Sequence, residues 1–170
     1  RYGRFIKKYG DKVEIISFWK YVWENGKLND KETMDNIIRD SITDFSTTRI
    51  ITRSGVVTNI KNLKKVMANH AKSIIIMNSA ASWRSIKQLK LADALVLKSI
   101  MSIIAVCSGD KHPTIVCEIH SNRDRDLAEN ISDGTVKALN EVSVLSRMIA
   151  QLALSRNGLS VVYSDMVGFD

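Results

Sequence analysis

The run Ser73-Ile74-Ile75-Ile76-Met77 limits what this chain can fold into more than any other stretch. Its β-branched side chains do not alternate with polar ones. That pattern predicts a strand covered on both faces, the usual state of a parallel sheet with helices on both sides. Upstream, Ile50-Ile51-Thr52, a loop and a helix lead into it, so Arg49 to Asn78 reads as a β-α-β unit. Two further strands are expected at Thr114 to Ile119 and Thr135 to Leu139. The predicted class is therefore α/β: a Rossmann-like, doubly wound, mostly parallel sheet followed by C-terminal helices.

The beginning of the chain does not supply a conventional first strand. Tyr2, Phe5, Ile6 and Tyr9 recur at helical spacing opposite Arg4, Lys7 and Lys8, which predicts a short amphipathic helix before a strand at Val13 to Ser17. A helix followed at once by a strand is what remains when the first strand of a doubly wound sheet is missing or lies upstream. Phe18, Trp19, Tyr21 and Trp23 read as cover over a sheet edge, and Asn25-Gly26 as a turn. Asn29 or Asp30 caps a helix through Arg39 that buries Met34, Ile37 and Ile38.

Beyond Ile50-Ile51-Thr52, a cap at Thr58 or Asn59 opens a helix with Ile60, Leu63 and Met67 inside and Lys61, Lys64 and Lys65 outside. His70 fits its carboxyl end. The polar loop of Asn78, Ser79 and Ser82 follows the carboxyl end of the central strand, where open α/β sheets receive ligands, and these three residues are the candidate ligand contacts. A long helix from Trp83 to Val106 begins polar, at Arg84, Lys87 and Lys90, and is almost wholly apolar from Leu95 to Ala105. A short helix is expected from Asp124 to Ile131. From Val142, one stripe of Val142, Leu145, Ile149 and Leu152 is accompanied by Val144, Met148 and Leu154 beside or behind it, so one face fits the sheet and another needs a partner. The chain divides into a lobe over 1–140 and assembly helices over 141–170.

A length of 170 residues with 45% hydrophobic composition supports one core. The charge of +7 is compatible with nucleic acid, an anionic membrane surface or simple solubility. The positive residues read as dispersed apart from Arg1, Arg4, Lys7, Lys8 and Lys12, and 6% aromatic residues offer few stacking platforms, so no nucleic-acid partner is expected. Cys107 and Cys117 lie in apolar runs and read as reduced core residues. Neither a signal peptide nor a membrane span is visible. A glycine-rich phosphate turn, a zinc signature, an EF-hand loop and a nucleophile elbow are also missing, which favours a binding or regulatory domain over an enzyme. The alternatives are a nucleotide-dependent Rossmann-type oxidoreductase and a ligand-free structural assembly domain.

Several ordered blocks carry a resemblance. They are Arg53-Ser54-Gly55, Ile60-Lys61-Asn62-Leu63-Lys64-Lys65-Val66, Ala71-Lys72-Ser73-Ile74-Ile75-Ile76, Ile115-Val116-Cys117-Glu118-Ile119, Leu145 to Leu154, and Tyr163 to Phe169. Over Val13 to Asp170 the chain resembles the conductance-regulating (RCK) domain of the Castor and Pollux ion channels. The resemblance implies a cytosolic, ligand-sensing lobe of a membrane protein, tethered to a pore domain and assembled with copies of itself into a ring that gates cation flow, of potassium or under calcium control. It implies that the helix after the last strand crosses to a neighbour, with Val144, Met148, Leu152 and Phe169 as interface candidates. It also implies that the cleft takes ions or regulatory ligands. Ca²⁺ prefers oxygen donors, so Asp93, Glu118, Asp124 and Asp165 are the candidate ligands for it or another cation, with a nucleotide less favoured. The segment Ser79 to Ser85 departs from the plant channels, which carry several acids there; this chain carries none.

Overall fold

In the computed structural model of the chain, residues 3–9, 12–19, 23–24, 27–28, 31–42, 48–107, 113–132, 134–154 and 159–167 are described. Six strands form one sheet: β1 (Gly3–Tyr9), β2 (Lys12–Trp19), β5 (Thr48–Ser54), β6 (Ser73–Ile76), β7 (Thr114–Glu118) and β8 (Val136–Leu139). A two-stranded hairpin of β3 (Trp23–Glu24) and β4 (Lys27–Leu28) stands apart from it. The sheet order is β5-β2-β1-β6-β7-β8. Counting only these six strands, that order is 3-2-1-4-5-6, the signature of a Rossmann-like sheet. Pairing is parallel for β2 with β5 and through β6, β7 and β8, whereas β1 runs antiparallel to both neighbours.

The central position is thus filled by an antiparallel strand and not by a parallel first strand, and the helix expected over Arg1 to Tyr9 is corrected to β1. Helical spacing is a local signal, and hydrogen bonding to β2 on one side and β6 on the other overrides it. Tyr2, Gly10, Asp11, Asn25, Gly26, Asn29 and Asp30 lie outside the described residues.

Helices stand on both faces. Ile75 pairs with Arg4, Arg4 with Ser17, and Ser17 with Thr52, and cross-strand partners share a face, so Thr52 and Ile75 are on the same side. There α1 (Lys31–Ser41) packs on β5: Met34 is buried, and the hydroxyl of buried Thr52 donates to Asp35. Ile37, expected inside, is exposed, because its helical position turns it away from that edge. Burial of Asp35 raises its pKa, but hydrogen bonds from Lys31 and Thr52 prevail and hold the carboxyl below its ordinary range.

The other face carries the main core. Ile74, Ile76, Ile115, Cys117, Val136 and Ala138 meet α2 (Ile60–Lys65), α3 (Ile86–Val106) and α4 (Asn122–Ile131). Each fully buried Ile or Val there contributes roughly 1.5–3 kcal/mol of apolar transfer energy. The Asn59 side chain caps α2, and Ser85 with Gln88 forms a capping box at α3. Of the stripe expected on α2 only Leu63 is inside. Ile60 is exposed at the first turn, and Met67 lies beyond the helix with φ 54°, so Val66 takes the inner place. A 3-10 turn, Ala68–His70, then leads to β6, with His70 exposed.

The central strand is covered unequally. Ile74 and Ile76 are buried, Ile75 is half-buried and Met77 exposed. Ile75, Val116 and Leu139 line a cavity of about 510 Å³ together with Val144 and Leu145 of α5 (Glu141–Leu154). No residue of α5 is buried, so the expectation that one of its faces is used up on the sheet is corrected. The last helix is α6 (Leu159–Val167). Among the described residues no helix is long and apolar enough to cross a membrane.

Candidate functional site

The polar groups of the lobe converge at the carboxyl edge of β6, β7 and β8. Asn78, one residue beyond Met77, is buried, and its side chain donates to Asp93 Oδ1 at 2.7 Å and to the Glu118 carbonyl at 3.4 Å. Its backbone N–H donates to Glu118 Oε2 at 2.9 Å, and its Oδ1 accepts from the Ala80 N–H at 3.0 Å. Asp93 comes up from α3, also buried, and accepts from the backbone N–H groups of His120 at 3.1 Å and Ser121 at 2.9 Å. A buried carboxylate is tolerated there because three N–H donors converge on it. Asp93 thereby ties together the loop after β6, the loop after β7 and the start of α4, whose N-cap is Ser121.

A second layer joins this network to α5. His120 Nε2 lies 2.9 Å from the Ala80 carbonyl, which can only accept, so Nε2 carries the hydrogen. Asn140 donates to the His120 carbonyl and accepts from the Ser143 N–H at 2.9 Å, capping α5. Ser82 donates to Glu141 Oε1 at 3.1 Å. Burial raises the pKa of Glu118, and a carboxyl-carboxyl hydrogen bond to Glu141 raises it further; the Asn78 N–H and His120 work in the opposite direction. The root of α5 thus sets two carboxyl groups side by side, and Glu118 is favoured in its protonated form there. A cavity of about 300 Å³ lies beside it, lined by Ser82, Leu89, His120, Asn140, Val142 and Ser143.

The residues singled out in the sequence are distributed as follows. Asn78 sits at the centre of the network with its side chain engaged, Ser79 is exposed, and Ser82 borders the smaller cavity. Asp93 and Glu118 meet through Asn78. Asp124 lies in the first turn of α4, its N–H donating to Ser121 Oγ at 3.4 Å. Asp165 belongs to α6, its side chain undescribed, and Phe169 is outside the described residues. Among the described residues no three His, Cys, Asp or Glu side chains form a group that could hold a metal. Val144 and Leu152 are exposed and Met148 half-buried. Both cysteines are free and buried, and burial first, with Glu129 and Asp93, pushes the Cys117 thiol up to about 12.

Sequence reasoning did not single out His120, Asn140 and Glu141. Their signal was positional: each follows a predicted strand directly, and Asn140-Glu141 also has the form of a helix cap with an acid in the first turn.

Strand order and a polar carboxyl edge define a Rossmann-like α/β lobe. The relatives it matches are named as ion channels or probable ion channels. The chain is 28% identical over 141 residues to "Probable ion channel POLLUX" of Arabidopsis thaliana, covering 83% of this chain and 16% of that protein. It is 29% identical over 141 residues to the protein of the same name in Oryza sativa subsp. japonica, of which it covers 14%. It is 28% identical over 141 residues to "Ion channel CASTOR" of Lotus japonicus, again covering 16% of it. The chain thus spans less than a fifth of the length of these relatives. No family model matches it.

Proposed function

We propose that this chain is a regulatory lobe of a cation channel, standing outside the membrane on the cytosolic side, attached to a pore domain and assembled with copies of itself through α5. The observation that carries the reading is the match over 141 residues to proteins named as ion channels, a stretch covering most of the Rossmann-like lobe. The role is non-enzymatic: the lobe senses an ion or small ligand at the carboxyl edge around Asn78, Ser79 and Ser82. A ligand acts on the pore only by preferring one arrangement of the ring over another. Glu118, whose pKa is raised by burial and by Glu141, lies at the joint where such a preference would be transmitted, between β7 and α5. The α5 helix supports assembly because none of its apolar residues is buried within the described chain.

One observation favours a second reading. Asn78 and Asp93 already satisfy each other and their neighbours, as a lobe that couples copies without any ligand requires. Calorimetric titration of the purified chain with Ca²⁺, Na⁺, K⁺ and adenine nucleotides, with its mass followed by light scattering, separates the readings. Ligand sensing predicts a saturable heat for at least one of them and a change in assembly on binding. An assembled chain that is silent to all of them supports structural coupling, and a silent strict monomer contradicts both readings.

A further inference from the structure

The charge of the chain is concentrated, contrary to the dispersal read from its basic residues alone. Residues 45–109 hold ten Lys or Arg and a single acid, a local charge of +9, while the rest of the chain carries −2. The single acid is Asp93, buried and engaged by three N–H groups. No carboxylate of this segment therefore reaches the surface to balance its cations.

The fold gathers many of these cations on one layer. The helix α3 packs beside α2 over the sheet, and Ser102 Oγ bonds back to the Thr58 carbonyl at 3.4 Å. Its inner side is Ala92, Val96, Ile100 and Ile103. At 100° per residue, Ile86, Lys87, Lys90, Leu91, Lys98 and Met101 fall within about 140° of arc on the outer side. All six are exposed. Ile86 is 73% and Leu91 65% exposed, and Trp83, just before the helix, is 76% exposed. Arg84 adds a further exposed cation, and α2 presents Lys61, Lys64 and Lys65 alongside.

An ordinary solvated helix face mixes signs and keeps large apolar side chains inside. This one alternates lysines with Ile, Leu and Met along a helix of roughly 30 Å and ends in an exposed tryptophan. We propose that the outer face of α3, with Trp83 and the lysines of α2, docks on an anionic membrane surface. Trp83 and Ile86 enter the headgroup boundary, and Lys87, Lys90 and Lys98 extend their stems over it to meet lipid phosphates. Charge complementarity commits the surface to anionic lipid, and the convex helix suits a flat bilayer better than an inserted peptide. The inference stands on charge and exposure, independently of the channel reading.

Vesicle flotation of the intact chain tests it. The expected result is co-flotation with phosphatidylcholine vesicles containing 30% phosphatidylserine at about 100 mM salt, none with pure phosphatidylcholine, and release at about 500 mM salt. The double variant K87E/K90E should weaken binding by about tenfold or more. W83S should weaken it at about 100 mM salt. All three positions are exposed, so thermal melts of the variants should match the parent. Equal binding to neutral vesicles, no binding to anionic ones, or full retention by K87E/K90E overturns the proposal. It is equally overturned if vesicles are ignored while the same substitutions abolish binding to single-stranded RNA or self-association.

Discussion

The helices α3 and α5 look alike in the sequence, since each carries more apolar residues than one face can bury, yet they occupy opposite situations. α3 buries Ala92, Asp93, Val96, Ser99, Ile100 and Ile103, whereas α5 buries nothing and faces the sheet across a cavity at Val144 and Leu145. The difference lies in their roots. α3 is anchored along its length between β6 and β7, with Asp93 wiring it to two loops. α5 is held by Asn140 to His120, Glu141 to Ser82, and the Glu118–Glu141 contact. Apolar excess thus has two meanings here: an inner core plus an exposed outer face in α3, and in α5 a helix none of whose apolar residues is buried among the described residues.

Asp93→Ala should have the largest effect. It leaves the Asn78 side chain and the N–H groups of His120 and Ser121 without an acceptor in a buried place, and a loss of about 3 kcal/mol or more is expected in chemical denaturation. A loss below about 1 kcal/mol would mean that water replaces the carboxylate and that α3 is not wired as described.

The comparison is sharpened by one substitution in each helix. Ile100→Ala should cost about 3 kcal/mol, because Ile100 is fully packed in the core. Ile149→Ala should cost no more than about 0.5 kcal/mol at concentrations where the chain is monomeric, because Ile149 is exposed. Similar costs for the two would show that α5 folds back on the lobe in solution.

A smaller effect is expected from pH. The folded-state pKa of Glu118 is raised, so its contribution to stability is fully present below the ordinary carboxyl range and is lost as pH rises through the raised value. Glu118→Gln should remove that loss, so that the variant gains on the parent in melting temperature between mildly acidic and neutral pH. A parent and variant with parallel pH profiles would show that burial beside Glu141 does not raise the Glu118 carboxyl.

Much of the fold was legible in the sequence because the chain order of strands and helices is written in local pattern. The unbroken run at Ile74 and the cap at Asn59 each fix an element without reference to anything distant. The strand over Gly3–Tyr9 was not legible, since its state depends on hydrogen bonds to β6, which lies about seventy residues away. The open second face of β6 was hidden for the same reason: a covered strand and a strand awaiting cover have the same composition. In the site, Asn78 and Glu118 could be placed by their strand ends. The role of Asp93 could not, because a lone acid inside an apolar helix declares its partners only once β7 and α4 have been set beside it.

The most direct test of the account is the self-association of the chain, with assembly through α5 as the central claim. Sedimentation and light scattering over a hundredfold range of concentration should show reversible growth beyond the monomer. Val144→Asp and Met148→Asp should each abolish that growth while circular dichroism shows unchanged helix content. A parent that stays monomeric throughout, or variants that assemble as the parent does, would contradict the claim that α5 is the joint between copies.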